Sequence, residues 1–261
     1  MSKPRKAWAA ARAREVHSTL KIGAPDEIDI ERIAFFHKIA VQRQVLSGMD
    51  GRIVRDGDRA IITVNESIPY SAQQRFVVAH ELGHYFLHPK TRQIDAVTSE
   101  QAMNWSESQT SFEEYEANLF AAEMLMPQSL FSERVMGADP SFEVIEDLAR
   151  EFQTTLTATA VQFVLNSNEE CALVSCEGRT RKWFLCPERF SFRFLNSTLI
   201  HGHSCAAQVN DRKRSDRSEI SEAGWWFDGY YHDHKAYITE EARFFPRIGR
   251  SLCLLWVKDE I

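Results

Sequence analysis

The 261-residue sequence predicts an α+β fold, and three observations carry that expectation. Apolar residues recur at helical spacing through 29–46, 71–88 and 112–125, and again from 128 to 166. A hairpin pattern, GRIVRDGDRAIITVN, interrupts them around Asp56-Gly57-Asp58. From Cys171 the period shortens, and CALVSCEG, KWFLCP, FSFRFL and SLCLLWV read as short strands bounded by turn residues.

The elements follow in order. The first ~48 residues read as helices, with DIERIAFFHKIAVQRQVL the clearest. Upstream, KPRKAWAAARAR carries basic residues and no acid, as a solvated basic helix would. The second strand of the hairpin, AIITV, is rich in β-branched residues, and its extended edge is a place where a substrate strand could add. A turn at Pro69 precedes SAQQRFVVAHELGHYFLH, with Ser71 as N-cap and Gln74 three residues on, and Pro89 stops that helix. The polar run KTRQIDAVTSEQAMNWSESQT reads as a loop, and SFEEYEANLFAAEML as a second strong helix ending at Met126-Pro127. Two helical patterns joined at FQTTL resemble a helix-turn-helix, also a common packing unit. NDRKRSDRSEISEAG reads as a charged loop. The expected organisation is a first domain over 1–127, a helix-turn-helix-like segment over 128–168 and a smaller β-rich domain over 169–261.

Composition narrows the function classes. An apolar fraction of 44% and a charged fraction of 26% belong to a folded globular chain. A net charge of -6 argues against a mainly electrostatic nucleic-acid or membrane binder. No apolar run approaches the roughly 20 residues of a membrane span, and the N-terminus lacks a signal-peptide core. Five cysteines, all in the last third and without a CxxC pair, point to reduced, buried thiols and a cytoplasmic location.

The chemistry concentrates in FVVAHELGHYFLHP. Residues four apart share a helix face, so His84 lies about 40° from His80 and Glu81 about 100° from it. Two imidazoles can converge on one zinc ion while Glu81 flanks them, placed to take a proton from water as general base. Gly83, about 60° to the other side, suits close approach by another segment. His88 lies about 12 Å further along the axis and is rejected as a third ligand.

The missing ligand is expected from the second helix. With Glu114 at zero, Ala117, Phe120, Ala121, Met124 and Leu125 form the inward face. Glu114 lies inside that arc, Glu113 at its edge and Glu116 on the far side. A carboxylate within an apolar stripe is costly unless paired or metal-bound, which favours Glu114, with Glu113 as runner-up. Asn118, one turn on, is placed to hold the outer nitrogen of a histidine ring. HGHSC at 201–205 and HDH at 232–234 lack a ligand spacing with a second pair and read as surface histidines. GWWFDGYY reads as core of the β-rich domain, with a ligand pocket as the alternative.

RFVVAHELGHYFLH followed by EYEANLFAAEMLMP resembles the ImmA/IrrE family of bacterial and phage metallopeptidases, best over about 61–127. The resemblance implies a minimal zincin-like domain with His80, His84 and Glu114 as zinc ligands, Mn2+ as a possible substitute, and Glu81 as catalytic base. It also implies cleavage of a partner repressor of the Xre-like helix-turn-helix type, releasing stress-response or mobile-element genes. Radiation-response members end in a GAF-like sensor domain, with which the β-rich third is compatible. The competing expectation is a non-proteolytic regulator that binds DNA, a repressor or a small effector and carries a structural zinc. A structural zinc needs no adjacent base, so Glu81 separates the two.

Overall fold

The structure, a computed structural model, describes residues 5–88, 111–213, 215–228 and 237–257. Two compact units divide the chain: Met1–Arg134 with Asp147–Thr159, and Val135–Glu146 with Ala160–Ile261. Among the described residues no helix is long and apolar enough to cross a membrane.

The first unit is built from helices and one small sheet. Helix α1 (Lys6–Leu20) buries Ala9, Ala13, Val16 and His17, a stripe at helical spacing, so its basic residues are confined to the opposite side. Helix α2 is short, Ile30–Phe36, and is capped by Asp29, which accepts from the Arg32 N–H. The expected longer helix through 46 does not form. Lys38 takes a left-handed φ of 59° and the chain continues as strand β1, Ile39–Gln44. That segment has a β-branched residue at alternate positions and a partner in register, Val41 opposite Ile62, so sheet pairing outweighs local helix periodicity.

Strands β2 (Gly51–Asp56) and β3 (Arg59–Asn65) form the expected hairpin, with Gly57 at φ 61° in its turn. The sheet order is β1-β3-β2, with β1 parallel and β2 antiparallel to β3. β3, the AIITVN strand expected to offer an edge, is therefore central, and its ladder groups are engaged on both sides. β1 and β2 are the edges.

Helix α3 (Ser71–Leu87) packs on β2 and β3. Its cap residue is Tyr70 rather than Ser71, and no side chain caps it; Gln74 instead bonds the Ile68 carbonyl. Helix α4 (Phe112–Leu125) starts where expected, with the Ser111 hydroxyl accepting from Glu114 N–H. The polar segment expected as a loop between these helices lies outside the described residues.

Helices α5 (Gln128–Val135), α6 (Phe142–Phe152) and α7 (Leu156–Asn166) follow, each contributing residues to both units. α6 and α7 are joined through Gln153 at φ 53°, with Thr154 and Thr159 hydroxyls 2.7 Å apart, which gives the FQTTL turn a defined geometry.

The second unit carries a five-stranded antiparallel sheet in the order β5-β4-β10-β9-β7. Its strands are β4 (Cys171–Glu177), β5 (Thr180–Leu185), β7 (Asp216–Glu222), β9 (Tyr237–Phe245) and β10 (Arg250–Trp256). A two-stranded ribbon of β6 (Arg193–Phe194) and β8 (Phe227–Asp228) adds to it. β4 and β10 are buried on both faces, which is why CALVSC and SLCLL read as continuous apolar runs.

Two elements differ from expectation. Residues 205–212 form helix α8, capped by Ser204, and 216–222 form strand β7. The segment read as a charged loop is thus partly the end of a helix and partly an edge strand, whose exposed positions tolerate charge. Trp226 and Phe227 are core residues, as expected of the aromatic cluster, while 232–234 lie outside the described residues.

Candidate metal centre

Helices α3 and α4 approach closely because both present small residues where they meet. A Cβ added to Gly83 would sit 3.0 Å from the Ala117 Cα and 3.1 Å from its carbonyl oxygen. The close approach expected of Gly83 is therefore made by Ala117 of α4. It brings side chains one turn away on each helix into one buried space.

There His80 Nε2 lies 3.3 Å from Glu114 Oε2, and His84 Nε2 lies 3.3 Å from Glu114 Oε1. The two histidine Nε2 atoms are 2.9 Å apart. Among the described residues, His80, His84 and Glu114 form the group able to offer three ligand atoms within 4.8 Å of one another. Asn118 Oδ1 stands 2.8 Å from His80 Nδ1. An Nδ1–H donated to that oxygen leaves His80 Nε2 with its lone pair turned toward the other two donors.

The electrostatics favour ligating forms. Burial, reinforced by the neighbouring His84, pushes His80 down and keeps it neutral. Burial alone would raise Glu114, but the two ring nitrogens set against its oxygens, of His80 and His84, more than reverse this, so its carboxyl lies well below the usual carboxylate range. Neutral imidazole and carboxylate are the forms in which these side chains bind a divalent cation. Three lone-pair donors converging in a buried space without an intervening cation would be an expensive arrangement, so the residues fit a metal ion.

Glu81, the next residue after His80, is fully buried, and its surroundings explain a glycine on β2. A Cβ at Gly51 would meet Val77 Cγ1 at 2.3 Å and lie 3.3 Å from Glu81 Oε1. The sequence offered no sign of this contact, since it joins residues that only the tertiary fold brings together.

The remaining acids and histidines sort themselves by partner. Glu113 is exposed and does not reach the group. Glu116 is not on a solvated side. It is buried and binds Arg5 through the backbone N–H at 2.7 Å and the guanidinium at 3.1 Å. His88 Nε2 stands 3.8 Å from Glu116 Oε2, and His88 is not among the three residues of the candidate group. His201 stacks on Trp225 with centroids 4.6 Å apart, an aromatic contact rather than a ligand cluster.

Comparison with known proteins agrees with the geometry. Residues 36–163 match the IrrE N-terminal-like domain of the Peptidase_M78 family. Metallopeptidase ImmA of Bacillus subtilis (strain 168) is 31% identical over 107 residues, which is 40% of this chain and 58% of that protein. The aligned part thus spans little more than half the length of that relative. A Mycobacterium tuberculosis transcriptional regulator superposes with a TM-score of 0.62 over 95% of this chain and 76% of its own, at 13% identity, a likeness of fold. Residues 36–163 are therefore an IrrE N-terminal-like domain of the Peptidase_M78 type, which makes up just under half of the chain.

Proposed function

We propose that the chain is a zinc-dependent endopeptidase whose substrate is a partner protein, a transcriptional repressor of the Xre-like helix-turn-helix type. The observation that carries this reading is the convergence of His80, His84 and Glu114 with a buried carboxylate, Glu81, one residue from the first ligand. Three protein ligands leave a coordination position open, as catalytic zinc sites do and structural ones do not. That, with Glu81, favours catalysis over the alternative of a structural zinc in a non-proteolytic regulator.

His80, His84 and Glu114 would hold the ion. Zinc in such a site supplies a Lewis acid that polarises the scissile carbonyl and lowers the pKa of water to about 7, and manganese is a possible substitute. The remaining chemistry belongs to the chain. Glu81 takes the proton from the attacking water as the carbon–oxygen bond forms. It returns that proton to the amide nitrogen as the carbon–nitrogen bond breaks, so the carboxylate ends as it began. Asn118 holds the His80 ring in one orientation through Nδ1. The proposed setting is cytoplasmic, and direct nucleic-acid contact is not part of the mechanism.

The test is cleavage of the repressor encoded beside this chain, with zinc or manganese present. Wild type is expected to cut it. Glu81→Gln is expected to retain its metal and lose about 10²–10⁴-fold in rate, the usual contribution of a general base. Equal cleavage by both proteins, or none of this repressor by wild type with either metal, overturns the reading.

A further inference from the structure

Strand β2 meets the metal-bearing helix at two places, Gly51 beside Glu81 and, four residues on, Arg55 at the helix end. Arg55 Nη2 donates to the carbonyl oxygens of both His84 and Tyr85, each at 2.8 Å. Its guanidinium also lies over the Tyr85 ring, 4.5 Å from the centroid.

These two carbonyls are in the last turn of α3, where helical donors run out. The His84 carbonyl already accepts from the His88 N–H at 3.0 Å. The helical partner of the Tyr85 carbonyl would be the N–H of residue 89, and residue 89 is proline. Arg55 supplies the donor that proline lacks, and it places a positive charge at the negative end of the helix dipole. Its own backbone is held in the hairpin ladder opposite Ala60, so the anchor is not a loop.

We infer that Arg55 is a positioning residue for the metal centre, fixing the turn that carries His84 through main-chain carbonyls. A His84 ring that must meet His80 and Glu114 tolerates little movement of its own backbone. A frayed last turn would misplace one ligand of three. This inference rests on the metal-site reading above, and it concerns metal binding rather than peptide cleavage.

The experiment uses the full chain, with zinc affinity measured by competition against a chromogenic chelator. Absorption of the cobalt(II)-loaded protein and melting of the metal-free protein complete it. Arg55→Gln is expected to bind zinc about tenfold more weakly, as outer-sphere changes do, with altered cobalt d–d bands. Arg55→Lys, which keeps a charged donor, is expected to fall between that variant and wild type. A plain helix-end role predicts lower melting with unchanged zinc affinity and cobalt spectrum in Arg55→Gln, and that result overturns the inference. Should Arg55→Gln fail to fold, an Arg55→Lys protein with wild-type affinity and spectrum overturns it equally. If wild type takes up no metal, the metal-site reading falls and this inference with it. If wild type binds tightly and the variants match it, only the inference falls.

Discussion

Glu114 in the first unit is half-buried and Glu240 in the second fully buried, and the neighbours of the two carboxyl groups are opposite in kind. In the first unit Glu114 faces two ring nitrogens, His80 Nε2 and His84 Nε2, each at 3.3 Å. In the second, Glu240 is fully buried and faces donors: the Ser221 hydroxyl at 2.7 Å, the Cys253 thiol at 3.6 Å and the Ala206 N–H at 3.5 Å. Glu114 is held below the usual carboxylate range, whereas burial raises Glu240, outweighing its hydrogen bonds. A neutral imidazole nitrogen that donates to a carboxylate cannot also offer a lone pair to a cation, so the first arrangement is a candidate cation site. The second is complete as it stands. Burial of a charged side chain thus marks a site only when its neighbours also offer lone pairs.

The largest effect that would sharpen this comparison is on metal content. His84→Ala is expected to reduce bound zinc from about one equivalent per chain to background, since a catalytic site has only three protein ligands to begin with. Glu240→Gln is expected to leave zinc content unchanged. Elemental analysis of both purified proteins decides it, and zinc lost from the Glu240 variant would break the comparison.

Next in size is a packing effect confined to the first unit. Gly51→Ala forces a methyl group to 2.3 Å from Val77 Cγ1, on a β-branched side chain with little freedom to move away. The expected cost is about 1–3 kcal/mol in denaturant unfolding, typical of overpacking. An unchanged midpoint would show that α3 is not clasped by β2 as closely as the structure has it.

The grouping of His80, His84 and Glu114 was legible because its geometry is largely local. Two histidines four apart on one helix, and a single acid inside the apolar arc of another, need only the 3.6-residue period to be read. Gly83 signalled the close approach for the same reason. What the sequence hid depends on partners far along the chain. Strand β1 reads as helix until β3 lies parallel to it, and Glu116 reads only as lying on the far side of its helix until Arg5, 111 residues away, reaches it. Gly51 and Arg55 look like ordinary hairpin residues until the hairpin is laid against α3. Strand β7 is charged because it is an edge, so its composition imitates a loop.

The second unit offers a test of its own. Folding favours the neutral form of Glu240, because its pKa is raised. Below the unfolded carboxyl pKa this carries no penalty. As pH rises above it, the unfolded chain ionises first and the unit loses stability until the folded value is passed. Glu240→Gln removes that loss and is expected to stabilise the unit at neutral pH by about 1 kcal/mol, the scale of an imperfectly compensated buried polar group. Amide exchange in β9 and β10 at pH 5 and pH 8 is the measurement, and a pH slope that survives in Glu240→Gln would assign it elsewhere.

The smallest expected effect has the opposite sign and belongs to the first unit. His17 of α1 is buried, and its Nε2 lies 3.0 Å from the Met124 carbonyl of α4. Burial lowers its pKa more than that hydrogen bond raises it. For a histidine held neutral, the stabilisation is fully present above the unfolded pKa of 6.5 and is lost as pH falls through that value toward the folded one. His17→Gln keeps a donor for Met124 and does not titrate, so it is expected to flatten the acid limb by a fraction of a kcal/mol. Exchange protection in α1 and α4, followed from pH 7.5 to 5.5 in the metal-free protein, reads this directly. The comparison requires the two units to slope in opposite directions across that range. Parallel slopes would mean that groups other than Glu240 and His17 set the pH response of each unit.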